Sequence, residues 1–237
     1  MSMFTSAEFT ALTGVTLTAD QYTLIERLAA GVIEAECGRT WSADPDPVTQ
    51  CQVWWDHAVE VGVHQPEAVA LATADAKGHP SVRFVLLRGL DHDGLRFFTN
   101  YGSTKARHLD ENPWGALELA WIIIGRQVRM EGPVHRADPA ESDAYWATRP
   151  RASQIASRAS RQSRPAADRA EVQAGVAAEA ARWEGQEVPR PDGWGGFVLV
   201  PERWEFWNHG LNRLHDRFVY EPDPATEGAW TITRLWP

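Results

Sequence analysis

The sequence predicts an α+β barrel, because short alternating strands joined by tight turns fill the middle and the C-terminal end, and helical segments interrupt them. The chain has 237 residues, of which 43% are hydrophobic, so it can bury the core of one large domain. Strands that are separated by turns of only a few residues are expected to pair as an antiparallel meander.

Residues 1–44 are predicted to form an amphipathic helical extension, and residues 45–237 are predicted to form the main domain. The candidate apolar positions of the extension are Tyr22, Leu24, Ile25, Leu28 and Ile33. Two prolines within 42–47 predict a turn or linker after the extension. A short helix is expected next, and the residues predicted to share its apolar side are Val53, Trp54, His57, Ala58 and Val61.

Period-two alternation and turn residues predict the strands. In the middle of the chain they are expected over 69–73, 82–90, 95–100, 114–123 and 128–134. Turns with glycine at 75–78 and 91–94 predict hairpins between the first three of them. Four more short strands are expected around 197–200, 204–207, 217–220 and 230–235.

Cap signals predict helices at four places. A Gly-Ser-Thr-Lys stretch at 102–105 opens one, Asp138-Pro139 begins another, and 168–171 resembles a capping box before an alanine-rich stretch. Gln162-Ser163, shortly before a proline, is interpreted as a further helix-start cap. Pro150 predicts a helix break.

Charge and cysteine content exclude several classes of function. The formal net charge of −9 argues against a general nucleic-acid or anionic-membrane partner, so any anion site must be a local cluster of basic residues. Cys37 and Cys51 form neither a metal-ligand pattern nor a disulfide framework, which favours a reducing, cytoplasmic location. We expect no leader in residues 1–10 and no apolar run of the ~20 residues that span a membrane.

A cluster near the C-terminal end carries the clearest chemical signal. An aromatic pair within Glu205-Phe206-Trp207 precedes the stretch 213–217, which holds two arginines and a histidine. Arginine offers a planar charged fork, histidine exchanges a proton near neutral pH, and aromatic faces can flank a flat ring. These residues predict a site for a flat anionic molecule; a charged surface turn is the alternative.

Further basic and hydroxyl residues allow two interpretations each. Arg83 and Arg88 lie on opposite faces of an ideal strand, so they either end an apolar core strand or contact an anion through a bulge. Lys105 and the amides of 102–105 suit a phosphate, or form a plain helix cap. Tyr145, Arg149 and Ser153, spaced by four, form a phosphate cage or a solvated helix end.

Nine motifs occur in the order found in one known family. From about residue 46 to the end, the chain resembles the pyridoxine/pyridoxamine 5′-phosphate oxidases, FMN enzymes that make pyridoxal 5′-phosphate. The matching segments are 83–88, 97–100, 102–105, 126–128, 149–154, 162–163, 194–196, 205–207 and 213–217. A single such motif would be a weak match, whereas nine in order are specific.

The resemblance implies a split β-barrel homodimer that holds FMN between its subunits, with a small phosphorylated pyridine as substrate and O2 as acceptor. The implied FMN contacts are Arg83, Phe84, Val85, Leu86, Leu87, Arg88, Phe98, Thr99, Thr104, Lys105, Gln127, Gln162, Ser163, Trp207 and Arg217. The implied substrate contacts are Arg88, Tyr145, Arg149, Ser153, Arg213 and His215. The resemblance makes Arg213 and His215 catalytic, and implies no metal.

Some positions depart from the family pattern. Arg88 stands where lysine is usual, Thr104 stands where arginine is usual, and Asn208-His209 replaces Gln-Gly. Arg107, about one helical turn from Thr104, is a candidate replacement for the missing cation. Two alternative functions remain open: a related flavin oxidase of secondary metabolism, such as the phenazine-forming oxidases, or a non-catalytic flavin- or pyridoxal-phosphate-binding protein.

Overall fold

The computed structural model describes Thr18 and residues 43–237, so the predicted extension over 1–44 lies almost wholly outside the described residues. The first described helix, α1 (Pro47–Glu60), begins after the predicted proline turn, and the Asp46 carboxylate accepts hydrogen bonds from the first-turn amides. The helix is confirmed, and Trp54 and Ala58 of its predicted apolar side are buried. Val53 and Val61 are exposed instead, and Pro47, Gln50 and Cys51 complete the buried side.

Nine strands form one antiparallel sheet within the described residues. Their bounds are β1 (Ala68–Ala74), β2 (Pro80–Asp91), β3 (Gly94–Asn100), β4 (Trp114–Trp121), β5 (Arg126–Arg136), β6 (Trp194–Leu199), β7 (Arg203–Asn208), β8 (Asp216–Pro222) and β9 (Trp230–Arg234). The order is β4-β1-β2-β3-β6-β5-β7-β8-β9, and an additional β4–β5 pairing closes the first six into a barrel. The predicted α+β barrel is therefore confirmed.

Strand β5 joins the barrel to the C-terminal strands. Its first half, 126–131, pairs with β7, whereas its end, 134–136, pairs with β6. The predicted extension of β4 to residue 123 is wrong. Ile122–Ile124 form a 3-10 turn that ends at Gly125, whose φ of 65° suits glycine, and Ile122 and Ile123 are 78% and 87% exposed.

Four more helices follow α1, and three of their predicted caps are confirmed. The helices are α2 (Thr104–Glu111), α3 (Pro139–Thr148), α4 (Arg151–Ala159) and α5 (Arg169–Arg182). Ser103, Asp138 and Asp168 accept the capping hydrogen bonds of α2, α3 and α5. Pro150 separates α3 from α4 as predicted, because proline cannot continue the helical hydrogen bonding.

The prediction that Gln162-Ser163 caps the following helix is wrong. Asp168 caps that helix, and Ser163 lies in a turn with a left-handed φ of 66°. Its hydroxyl instead accepts a hydrogen bond, 3.2 Å long, from the amide of Thr104 at the start of α2. Ser163 therefore binds the first turn of α2, 59 residues earlier in the chain, and not the helix that follows it.

Apolar side chains of the barrel strands form the core. Leu71, Leu117, Leu119, Val128 and Met130 are among those that are fully buried. A second buried cluster, Trp146, Ile155, Val188 and Trp194, packs α3 and α4 against β6. Burying each large side chain stabilises the fold by roughly 1.5–3 kcal/mol, so this cluster holds the helices firmly beside the barrel. No helix in the described part of the chain has the length and apolar character that crossing a membrane requires.

Candidate functional site

A cavity of about 880 Å³ opens between β2, β3, α3 and α4. Its volume falls in the range that small-molecule sites occupy. The predicted site residues that line it are Phe84, Val85, Leu86, Arg88, Phe98, Thr99, Lys105, Tyr145, Arg149, Ser153 and Gln162. The fold therefore brings most predicted flavin contacts of the N-terminal half together with the predicted phosphate cage.

Regular alternation along β2 brings Arg88 to this cavity, because Arg88 lies on the same strand face as Phe84 and Leu86. The register between β2 and β3 shifts between Leu87 and Gly89, so the alternation is interrupted only after Arg88. Leu87 is buried in the core, whereas Arg88 lines the cavity with its guanidinium 3.8 Å from a carboxylate oxygen of Glu67. Arg88 thus lines the cavity and Arg83 lies on the opposite face of the strand, as their spacing predicts, and contact of either with an anion stays a prediction.

Arg83 supports the site from outside the cavity. Its guanidinium donates to the carbonyl of Leu71 at 3.0 Å and to the hydroxyls of Thr73 and Ser81, both at 2.8 Å. All three acceptors are neutral, so the positive charge of Arg83 is not cancelled by them. Burial lowers the pKa of the guanidinium, which is consistent with this lack of a carboxylate partner.

Lys105 places a buried ammonium at one end of the cavity. Its Nζ donates to the Gln162 side-chain oxygen at 3.0 Å, to the Thr99 hydroxyl at 3.1 Å and to the Ser103 hydroxyl at 3.4 Å. Burial, and then repulsion from Arg83, lowers the pKa of Lys105 to about 8. A cation held by neutral acceptors is suited to receive an anion, which would relieve both effects.

Aromatic rings build the opposite side of the cavity. Tyr145 stacks on Phe98 with ring centroids 4.1 Å apart, and Trp194 stacks on Phe98 at 5.6 Å. Gly196 makes room for this stack, because a Cβ there would lie 2.8 Å from a Phe98 ring carbon. The Trp-Gly-Gly motif at 194–196 therefore has a packing role beside the site.

Arg149 lies over the Trp194 ring at 4.6 Å and presents an unsatisfied donor. One terminal nitrogen donates to the Ser157 hydroxyl at 3.0 Å, and the other, Nη1, is buried with no hydrogen-bond partner among the described residues. Burial lowers the pKa of Arg149, Tyr145 raises it, and the charge of Arg88 lowers it further. Arg88 and Arg149 therefore repel each other, and Arg149 also has an unpartnered donor. Such a pair of cations is suited to bind a phosphate.

A second group of predicted residues, the Trp207–His215 group, lies at the end of β7 and β8 and outside the cavity lining. Its members are Gln127, Trp207, Arg213, His215 and Arg217. Trp207 lies 4.5 Å from His215 between ring centroids, and Gln127 faces Trp207 across the β5–β7 pair. The Gly210 amide donates to His215 Nδ1 at 3.2 Å, so the neutral imidazole carries its proton on Nε2. Arg217 donates to Glu205 at 2.8 Å.

Arg213 adopts a strained backbone conformation beside this group. Asn212 and Arg213 have successive left-handed φ values of 54° and 64° in the 3-10 turn Leu211–Arg213. Each non-glycine residue in this region costs on the order of 1 kcal/mol, and such strain clusters at functional sites. The turn projects Arg213 as an exposed side chain.

Several lining residues were not predicted from the sequence: Asn100, Thr148, Pro150, Ala156, Ser157, Ser160 and Trp194. Ser157 follows Ser153 by one helical turn, so helical spacing could have identified it. Ser163 and Thr104 lie together beyond the cavity lining, joined by their hydrogen bond.

Two family models match the chain. The model described as pyridoxamine 5′-phosphate oxidase matches residues 55–208, and that of the pyridoxine 5′-phosphate oxidase C-terminal dimerisation region matches residues 194–237. The chain belongs to the pyridoxamine 5′-phosphate oxidase family. The family resemblance of its motifs and the split-barrel fold expected from it are thereby confirmed.

Named relatives of this oxidase family cover most of the chain. A pyridoxine/pyridoxamine 5′-phosphate oxidase of Rubrobacter xylanophilus is 49% identical, covering 82% of this chain and 88% of the relative. One of Anaeromyxobacter dehalogenans is also 49% identical, covering 83% and 98%. The crystal structure of PhzG from Burkholderia lata 383, in complex with tetrahydrophenazine-1-carboxylic acid, is 33% identical with a TM-score of 0.77, covering 83% and 95%.

Proposed function

We propose that this chain is an FMN-dependent oxidase that converts pyridoxine or pyridoxamine 5′-phosphate to pyridoxal 5′-phosphate with O2 as acceptor. The observation that carries the proposal is a single cavity lined both by the residues matched to flavin contacts and by the residues matched to the substrate phosphate. The names of relatives that are 49% identical support the same reaction.

The residues present fit FMN by the chemistry of their donors. Lys105 and Arg83 offer positive charge with only neutral partners, which suits the flavin phosphate. Val85, Leu86 and the 72% exposed Phe84 offer an apolar surface for the flavin ring. When bound, FMN supplies the electron acceptor for the substrate and passes the electrons to O2, which yields hydrogen peroxide.

The protein positions the substrate by its phosphate. Arg88, Tyr145, Arg149 and Ser153 surround one part of the cavity, and the unpartnered Arg149 Nη1 gives the phosphate a donor. A fixed phosphate holds the reacting C4′ carbon against the flavin, and such orientation can remove roughly 7–11 kcal/mol of barrier. On the ring side of the substrate, Arg213 supplies charge and the Nε2–H of His215 supplies a hydrogen-bond donor.

The complete site requires two copies of the chain. The Trp207–His215 group does not line the cavity of its own subunit, and the match to a dimerisation region covers β7, β8 and β9. The exposed apolar face of β2, formed by Val82, Phe84 and Leu86, supports burial in a homodimer. We further propose a helical extension over residues 1–44 and a cytoplasmic location.

The similarity to PhzG favours one alternative, an oxidase of a reduced phenazine carboxylic acid. The phosphate cage argues for a phosphorylated substrate instead.

Peroxide release from a substrate panel tests the choice between the two functions. We expect peroxide with pyridoxamine 5′-phosphate and none with unphosphorylated pyridoxamine. Turnover of only the phenazine precursor would support the alternative, and no turnover of either would support a binding protein.

A further inference from the structure

The side chain of Arg107 folds back along its own helix. One terminal nitrogen donates to the carbonyl of Gly102 at 2.8 Å, and the other donates to the hydroxyl of Thr104 at 3.2 Å. The guanidinium thus lies at the N-terminal end of α2, where the helix dipole is already positive. A cation in this place is electrostatically unfavourable unless an anion binds beside it.

The same end of α2 gathers other positive groups. Lys105 is held in the buried cluster with Thr99, Ser103 and Gln162, and Arg83 is near enough to lower its pKa. Within residues 43–237, the structure shows no ion pair of Arg83, Lys105 or Arg107 with a carboxylate. Lys105 and Arg107 at this helix start, and Arg83 near Lys105, therefore lack a carboxylate counter-charge among the described residues.

Thr104 connects Arg107 to this cluster. Its hydroxyl accepts from Arg107, and its amide donates to Ser163, the neighbour in sequence of the Gln162 that binds Lys105. Thr104 is short and uncharged, so it supplies no cation itself. A guanidinium has five N–H donors in a planar fork, and the two hydrogen bonds of Arg107 leave donors for a ligand.

We propose that Arg107 supplies the second cation, beside Lys105, that binds the phosphate of FMN across the side chain of Thr104. This inference rests on the proposed FMN-dependent function and adds to it a binding residue one helical turn away from Thr104. It requires Arg107 to distinguish FMN from riboflavin, because the two ligands differ only in the phosphate.

Fluorescence-quenching titration of the unloaded protein with FMN and with riboflavin tests the proposal. We expect Arg107→Gln to weaken FMN binding about tenfold, the effect of losing one charge-assisted hydrogen bond, and to change riboflavin binding less than about twofold. Arg182→Gln removes an equal charge from the exposed end of α5 and should change neither affinity. Adding Thr104→Arg to Arg107→Gln should restore most of the preference for FMN.

Each outcome separates this inference from the function on which it rests. Wild-type protein that binds FMN no better than riboflavin would refute the proposed cofactor itself. A wild-type preference for FMN that persists in Arg107→Gln, or an equal loss for both ligands, would overturn the role of Arg107 alone. Thermal unfolding of the unloaded variants shows whether they fold. If Arg107→Gln does not fold, Arg107→Lys is measured in its place, and the proposal requires that this variant still bind FMN more tightly than riboflavin.

Discussion

At the scale of single residues, Arg88 shows how strand alternation selects which of two arginines lines the cavity. The sequence places Arg83 and Arg88 five residues apart, which on a regular strand directs them to opposite faces. The alternation holds from Val82 to Arg88, so Arg88 lies on the cavity face of β2, near enough to Arg149 to lower its pKa, whereas Arg83 lies on the opposite face. Which face of β2 borders the cavity depends on how α3 and α4 pack beside the strand, which the sequence of β2 alone does not reveal.

We expect Arg88→Lys to leave kcat/KM for pyridoxamine 5′-phosphate unchanged or to lower it. Arginine is longer and forked, so its neighbours, including Glu67 at 3.8 Å, are adjusted to that shape. A displacement of the phosphate by about 1 Å can cost ~100-fold in rate. A clear gain in the lysine variant would instead indicate that the enzyme acts on another substrate, as the phenazine alternative requires.

Arg213→Ala and His215→Ala should lower turnover much more than they weaken FMN binding. Both side chains belong to the proposed ring side of the substrate, and loss of a positioned acid or base typically costs about 100- to 10,000-fold in rate. Stopped-flow measurement of flavin reduction gives the rate, and flavin fluorescence gives the affinity. If both variants are reduced at the normal rate, neither residue is catalytic.

The candidate site was predictable where a short motif acts through its own residues. Lys105, Tyr145 and Arg149 have charged or hydroxyl groups that their residue types alone reveal, and all three line the cavity, while their roles as ligand contacts stay predictions. The prediction that Ser163 caps the following helix was wrong, because a capping motif indicates which residue type can cap a helix but not which helix the residue binds. Its partner, Thr104, is distant in sequence, and only the fold brings the two together.

At the scale of secondary-structure elements, Glu205 ties three strands together. It is 2% exposed on β7 and forms ion pairs with Arg129 on β5, Arg217 on β8 and Arg203 on its own strand. Burial raises the pKa of Glu205, but hydrogen bonds from Arg217 and Arg129 outweigh burial and hold the pKa below its ordinary value. Arg217, a predicted flavin contact, is therefore oriented by a buried carboxylate.

We expect Glu205→Gln to lower the free energy of unfolding near neutral pH by about 1–3 kcal/mol. This loss is smaller than the loss from breaking a fully buried ion pair, because the arginine partners of Glu205 are partly exposed. A carboxyl whose folded pKa is depressed stabilises the fold above its unfolded pKa, and this contribution is lost as pH falls through the folded pKa. The difference from wild type should therefore shrink below about pH 4.5. Urea unfolding at several pH values measures it, and a pH-independent difference would contradict the assignment.

Strands were predictable where tight turns join them, as in β1, β2 and β3, because alternation and glycine turns act locally. The pairing of β6 with both β3 and β5 was not predictable, since it joins segments separated by the helical region. Ile122 and Ile123 were predicted to continue β4 because isoleucine favours strands. They follow β4 in an exposed turn instead.

At the scale of the whole molecule, the distribution of the site residues predicts a homodimer. We expect a dimer of twice the chain mass of 26.5 kDa by light scattering at micromolar concentration. The reason is that one subunit provides the cavity and the Trp207–His215 group is left outside it. A stable monomer that retains full activity would refute this arrangement.

The central claim is that the cavity positions a phosphorylated pyridine substrate for oxidation by bound FMN. Anaerobic mixing of the FMN-loaded protein with pyridoxamine 5′-phosphate tests it most directly, with the flavin absorbance followed in time. We predict that the flavin absorbance bleaches, that one pyridoxal 5′-phosphate forms for each flavin reduced, and that air restores the spectrum with release of peroxide. A flavin that binds but stays oxidised in the presence of saturating pyridoxamine 5′-phosphate and pyridoxine 5′-phosphate would contradict the claim.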